Sequence, residues 1–66
     1  MPFVEISMWP GRSDDAKARI IAEVSKAVAD SSGAPIEAVE VIIRDIPKTC
    51  WGQGGKPFSQ THPDPE

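Results

Sequence analysis

The chain has little of what usually staples a small domain. Of its 66 residues one is cysteine, one is histidine and none is tyrosine. A single thiol, Cys50, excludes an internal disulfide. Cys50 and His62 together fall short of the roughly four nitrogen or sulfur ligands of a structural zinc site, so no metal site is expected. No apolar run approaches the roughly 20 residues of a membrane span, and no basic segment followed by an apolar core opens the chain. No membrane partner is expected, and the sequence reads as that of a cytoplasmic protein. Basic residues are also scarce: seven stand against ten acidic ones, for a net charge of -3. The electrostatic footprint of a phosphate-backbone binder is missing, which excludes nucleic acid as the expected partner.

What is present has ordinary globular proportions, with 39% hydrophobic and 26% charged residues. This composition argues against a disordered chain. A chain this short has a thin core, and with disulfides and metals set aside, association with other copies is the remaining source of stability.

Along the chain, Pro2, Val4, Ile6 and Met8 alternate with Phe3, Glu5, Ser7 and Trp9. This period of two predicts a strand from Pro2 to Trp9 with apolar character on both faces, closed by Pro10-Gly11. Ser13 suits a helix N-cap, and Asp14 and Asp15 complement the dipole in the first turn. Ala16, Ile20, Ile21, Val24, Ala27 and Val28 recur at three- and four-residue spacing, opposite Lys17, Arg19, Glu23, Lys26 and Asp30. They predict one amphipathic helix of about five turns, ending near Ser32-Gly33. Val39 to Ile46, with its β-branched centre Val41-Ile42-Ile43, predicts a second strand buried on both faces. Strand, helix and strand in that order predict a right-handed βαβ unit with parallel strands. Its uncovered sheet face and edges call for other copies of the chain. Residues 1–58 read as one domain. Trp51-Gly52-Gln53-Gly54-Gly55 reads as a flexible aromatic segment, and 59–66 as a flexible tail.

The unusual placement is Pro2, directly after the initiator methionine. Trimming of Met1 would expose a secondary amine, which can serve as a general base or nucleophile if burial and nearby cations lower its pKa towards neutrality. With Met1 attached the same nitrogen is an amide, and Pro2 then merely starts a strand. Other candidates are weaker. Cys50 has no histidine nearby in sequence and reads as an unpaired structural thiol. The glycine segment does not lead from a strand into a helix, so it lacks the setting of a phosphate loop.

Four features together carry a family resemblance: the initial Met-Pro, the segment Pro10-Gly11-Arg12-Ser13-Asp14-Asp15, the break at Gly33-Ala34-Pro35, and Trp51-Gly52-Gln53-Gly54-Gly55-Lys56. The chain resembles short members of the 4-oxalocrotonate tautomerase (2-hydroxymuconate tautomerase) family over roughly Pro2 to Phe58. The resemblance implies an α/β fold: a short βαβ unit with a C-terminal turn or hairpin, assembled as a homohexamer built as a trimer of dimers. It implies a cofactor-independent isomerase that converts an enol or dienol acid to its ketone. Pro2 would be the general base, Arg12 the clamp on the substrate carboxylate and Trp51 an apolar wall. Arg12 would come from a different chain than Pro2. A guanidinium suits the clamp because it is permanently charged and bidentate.

One position departs from that pattern. Diacid-processing members carry a second arginine where this chain has Glu40, and a carboxylate there would repel a dianionic substrate. Arg44 lies four residues on along the same strand face, about 13 Å away at roughly 3.3 Å per residue. A neighbouring subunit could bring it closer, or Glu40 and Arg44 could pair with other chains and have no part in catalysis. Proline-dependent hydration, dehalogenation or decarboxylation, and a non-catalytic oligomeric module, are the competing readings.

Overall fold

A computed structural model describes residues 2–65. Met1 and Glu66 lie outside the described residues, and with them the expected trimming of Met1 and the last residue of the tail. Strand β1 (Phe3–Met8) leads through a loop into helix α1 (Asp14–Ser32), and a 3-10 turn at Ile36–Ala38 precedes strand β2 (Glu40–Asp45). A second 3-10 turn at Lys48–Cys50 leads into a hairpin of two short strands, β3 (Gly52–Gln53) and β4 (Lys56–Pro57). One helical turn, α2 (Phe58–Thr61), follows.

Helix α1 begins and ends where its capping residues allow. The Ser13 hydroxyl accepts a hydrogen bond from the Ala16 amide at 3.1 Å, and Asp14 and Asp15 occupy the first turn. A cap of this kind is worth about 1 kcal/mol. At the other end Gly33 adopts φ 80° and donates its N–H to the Ala29 carbonyl at 3.0 Å. In the hairpin, Gly54 and Gly55 have φ of 63° and 84°. Two consecutive left-handed residues make the turn whose twist matches antiparallel strands, and glycine adopts it without steric cost.

The two long strands pair in parallel, with Phe3 opposite Glu40, Val4 opposite Val41, Ile6 opposite Ile43 and Met8 opposite Asp45. The register is extended at both ends: the Glu40 amide donates to the Pro2 carbonyl at 3.1 Å, and the Ile46 amide to the Met8 carbonyl at 2.9 Å. Side chains of parallel partners share a face. One face therefore carries Val4, Ile6, Val41 and Ile43, all half-buried. The other carries Phe3, Glu5, Ser7, Glu40, Ile42 and Arg44, all exposed.

This corrects the expectation that β2 is buried on both faces. One helix can cover only one side of a two-stranded sheet, and Phe3 and Ile42 are left 51% and 41% exposed. Among the described residues no hydrophobic side chain is buried. The Cα radius of gyration is 14.9 Å, against about 11 Å for a compact domain of this length. The accessible surface is 4939 Å², against roughly 4,100 Å² for a folded monomer of this mass.

The helix face also differs from the periodicity in two respects. Ala16, Ile20, Val24 and Val28 are half-buried as expected, whereas Ile21 and Ala27 are exposed. Lys17, expected on the polar face, is half-buried and its ammonium pairs with the Asp45 carboxylate at the end of β2. The lysine stem can cover apolar surface while its charge reaches a partner. No helix among the described residues is long and apolar enough to cross a membrane.

Candidate active site

The candidate residues fall into two groups at opposite ends of β1. Pro2 opens the strand and is half-buried, with Glu40 beside it through the backbone hydrogen bond described above. Arg12 and Trp51 lie beyond the other end. Six residues of strand separate the groups by about 20 Å at roughly 3.3 Å per residue. A single chain therefore does not bring Pro2 and Arg12 together.

The groove at the carboxyl end of β1 is lined by Met8, Trp9, Arg12, Trp51 and Phe58, with a volume of about 310 Å³. It joins one guanidinium to four apolar or aromatic side chains. Arg12 is exposed, and its Nη1 donates to the Trp9 carbonyl at 3.1 Å. That bond uses one N–H of the five that a guanidinium offers and leaves the others for a ligand. The aromatic wall is held together by edge contacts: Trp9 and Phe58 have ring centroids 5.0 Å apart at 63°, and Trp51 and Phe58 are 6.1 Å apart at 69°. The Phe58 amide donates to the Trp51 carbonyl at 2.8 Å, which closes the hairpin and places both rings on the groove.

Behind this wall, His62 packs on Phe58 at 5.4 Å and on Trp9 at 5.7 Å. The Lys48 ammonium lies 4.6 Å from the Trp9 ring centroid, pairs with Asp64 at 2.8 Å and also donates to the His62 carbonyl. Phe58, the last residue of the segment read as the domain, thus contributes one wall, and His62 and Asp64, in the segment read as a tail, contribute its backing. Sequence alone does not place Trp9, Phe58, His62 or Lys48 in the site. Two tryptophans in a chain without tyrosine, and a phenylalanine directly after the glycine hairpin, were the available signals.

Most of the cations are paired. Lys17, Arg19, Lys26, Arg44 and Lys48 each have a carboxylate within 4 Å. Arg44 Nη1 meets Glu5 Oε2 at 2.7 Å on the open sheet face, so its partner comes from its own chain. Among the described residues, Arg12 and Lys56 are the cations of the seven that lack a carboxylate partner. Cys50 is exposed, with Thr49 Oγ1 at 3.9 Å from its sulfur. No group of three or more histidine, cysteine or acidic side chains suited to a metal ion occurs among the described residues.

Comparison with known proteins agrees with this architecture. The family model for the tautomerase enzymes matches residues 2–61. A 2-hydroxymuconate tautomerase from Pseudomonas putida is 47% identical over 60 residues, covering 91% of this chain and 95% of the relative. A solved 4-oxalocrotonate tautomerase isozyme from Methylibium petroleiphilum superposes with a TM-score of 0.86 at 38% identity, covering 92% of this chain and 98% of that one. A heterohexamer 4-oxalocrotonate tautomerase from Chloroflexus aurantiacus gives a TM-score of 0.86 at 33% identity, with 91% and 97% covered. A parallel βαβ unit closed by a glycine hairpin, matched in sequence and in structure over nearly its whole length, assigns the chain to the tautomerase family of isomerases.

Proposed function

We propose that the protein is a cofactor-independent keto–enol tautomerase for 2-hydroxydienoate or enolpyruvate-type acids. Pro2, freed by removal of Met1, is the base. The observation that carries this reading is the placement of Pro2 at the start of β1 in a chain whose free guanidinium, Arg12, stands over an apolar groove.

The reaction moves one proton. The neutral proline amine takes it from the enol hydroxyl, and the freed electron pair forms the C=O bond. The carbon–carbon π electrons shift to the acceptor carbon, C3 of a simple enol or C5 of a dienol. The proline ammonium then returns the proton to that carbon and is neutral again. A base working near its own pKa is efficient at this transfer. Arg12 clamps the substrate carboxylate and draws electron density towards it, and Trp51 supplies an apolar wall that disfavours the ammonium form.

Because Pro2 and Arg12 lie about 20 Å apart along one strand, the complete site combines chains. Self-association is supported by the absence of buried hydrophobic side chains among the described residues and by the exposed Phe3 and Ile42. The relative from Chloroflexus aurantiacus is a heterohexamer, and we read this chain as a homohexamer, a trimer of dimers, in which one copy's Arg12 groove faces another's Pro2.

The test is spectrophotometric. Protein whose intact mass shows loss of Met1 should ketonise phenylenolpyruvate or 2-hydroxymuconate, and protein that retains Met1 should not. Equal turnover by the two forms would remove the proline amine from the mechanism. No turnover by either would favour hydration or dehalogenation chemistry, or a non-catalytic assembly.

A further inference from the structure

We infer that Lys56 on the hairpin of one copy pairs with Glu40 on the open sheet face of another, and that this ion pair seats the hairpin on its neighbour. The inference rests on the reading that one copy's Arg12 groove faces another's Pro2. It goes beyond that reading by naming the surface and the charges that join the two chains.

The hairpin register fixes what its groove side carries. Gln53 stands opposite Lys56 and Gly52 opposite Pro57, and the Phe58 amide bond to the Trp51 carbonyl sets those two residues opposite each other one step on. Cross-strand partners share a face, and every second residue returns to it, so Gln53 and Lys56 share the face of Trp51 and Phe58, about 7 Å further along. Both are exposed. Beyond them the turn residues Gly54 and Gly55 have open space where a Cβ would stand. A tip without side chains lets its backbone approach another surface closely.

The sheet supplies the other half. Glu40 shares the open face with its register partner Phe3, the residue after Pro2. When a groove closes on Pro2, the hairpin end that carries Lys56 reaches this corner of the open face. Charge points to the same pairing. Among the described residues, Arg12 and Lys56 are the cations without a carboxylate partner, and Arg12 serves as the clamp. On the open face Arg44 is engaged by Glu5 at 2.7 Å, which leaves Glu40 as the unpaired charge of that face. The remaining unpaired carboxylates stand elsewhere: Asp14 and Asp15 in the first turn of α1, and Glu37 in the 3-10 turn. A pair enclosed against Phe3, 51% exposed in the single chain, is screened less than one in open solvent. Opposite charges across an interface also fix its register, and like charges reject the wrong one.

Zero-length carbodiimide coupling tests the contact on the native assembly, because it joins an ammonium only to a carboxylate that touches it. A reducing, denaturing gel should show a covalent dimer whose cross-linked peptide joins Lys56 to Glu40. A dimer joined from Lys56 to Glu37, Asp14 or Asp15, or no dimer, would overturn the inference. Charge reversal measures what the contact does. Both side chains are exposed in the single chain, so circular dichroism should show the fold retained. Lys56→Glu and Glu40→Lys should each raise the concentration at half-assembly, read by sedimentation velocity at low salt, by about tenfold, and the double variant should recover most of the loss. Single reversals without effect, an equal loss from Glu37→Lys, or a double variant no better than the worse single one would overturn the inference. Turnover by protein lacking Met1, with assembly indifferent to both reversals, would overturn the pair and leave the proline mechanism standing. Reversal and recovery of assembly without turnover of either enol would keep the pair and overturn the proline mechanism.

Discussion

The two ends of β1 are built differently. At the amino end, the Pro2 carbonyl accepts a backbone hydrogen bond from Glu40, and the neighbouring Phe3 and Glu40 are exposed on the open sheet face. At the carboxyl end, three aromatic rings, a histidine and a lysine interlock around Arg12 within a single chain. One end carries a candidate reactive atom with few walls; the other carries walls and a charge with no reactive atom. On the mechanism proposed above, whose chemistry needs a dry, preorganised site, such a division would make assembly part of the catalytic apparatus, with a second copy supplying to each end what it lacks.

That contrast predicts different kinetic signatures for substitutions at the two ends. The largest effect is expected from Pro2→Ala, which leaves a primary amine of altered basicity and geometry. A loss of about a hundredfold to ten-thousandfold in turnover is the range for a general base, and it should fall on kcat. Size-exclusion chromatography should give an unchanged assembly, since the backbone bond from Glu40 needs only the carbonyl of residue 2. Activity within a factor of two of the native level would place the base elsewhere.

Arg12→Ala should come next. Charge-assisted hydrogen bonds are worth roughly 1.5–3 kcal/mol each, so kcat/KM for enol carboxylates should fall about 10- to 150-fold, mainly through KM if the clamp acts equally before and during proton transfer. An uncharged enol should lose far less. If charged and uncharged substrates suffer alike, the guanidinium holds the loop and not the ligand.

Much of this division is invisible in the sequence, for physical reasons. The ends of α1 were legible because Ser13 and Gly33 are local signals, and β2 was legible from Val41-Ile42-Ile43. Pro2 stands out by its placement directly after Met1, and Arg12 and Trp51 through family resemblance, while no local pattern says that the chain keeps Pro2 and Arg12 apart. Periodicity puts Lys17 on the solvent face because it carries no knowledge of Asp45, 28 positions away. Arg44 finds Glu5 only once the parallel register sets Glu5 against Ile42 and Ser7 against Arg44. The aromatic wall escaped for the same reason: Trp9 and Phe58 are distant in sequence and meet only after the hairpin folds back.

A smaller effect should come from the turn that aims Arg12. Gly11 precedes it with φ 119°, and a Cβ there would meet open space. The penalty for Gly11→Ala is therefore conformational, about 1–3 kcal/mol for a non-glycine residue in so sparsely populated a region. If the turn relaxes to relieve it, Arg12 moves and KM rises; if it does not, the unfolding midpoint falls at fixed protein concentration. A variant unchanged in both would show that the turn does not fix the Arg12 position.

The smallest effect is expected from Lys48→Ala, which removes the brace behind the wall and no group that lines the groove. Its ammonium sits over Trp9 at 4.6 Å and pairs with the largely exposed Asp64. A cation–π contact at a partly exposed site is worth roughly 0.5–1 kcal/mol, and an ion pair with an exposed carboxylate about 0.2–1 kcal/mol. Loss of both should therefore lower stability by roughly 1 kcal/mol, less at high salt, where the ion pair is screened. If the brace preorganises Trp9 and Phe58, KM for an aryl enol acid should rise a few-fold while kcat at saturation stays near the native value. Lys48→Met should recover part of the packing and none of the salt dependence. Stability lost with KM unchanged would mean that the ring contacts alone hold the wall, and that the carboxyl end of β1 is rigid without its lysine.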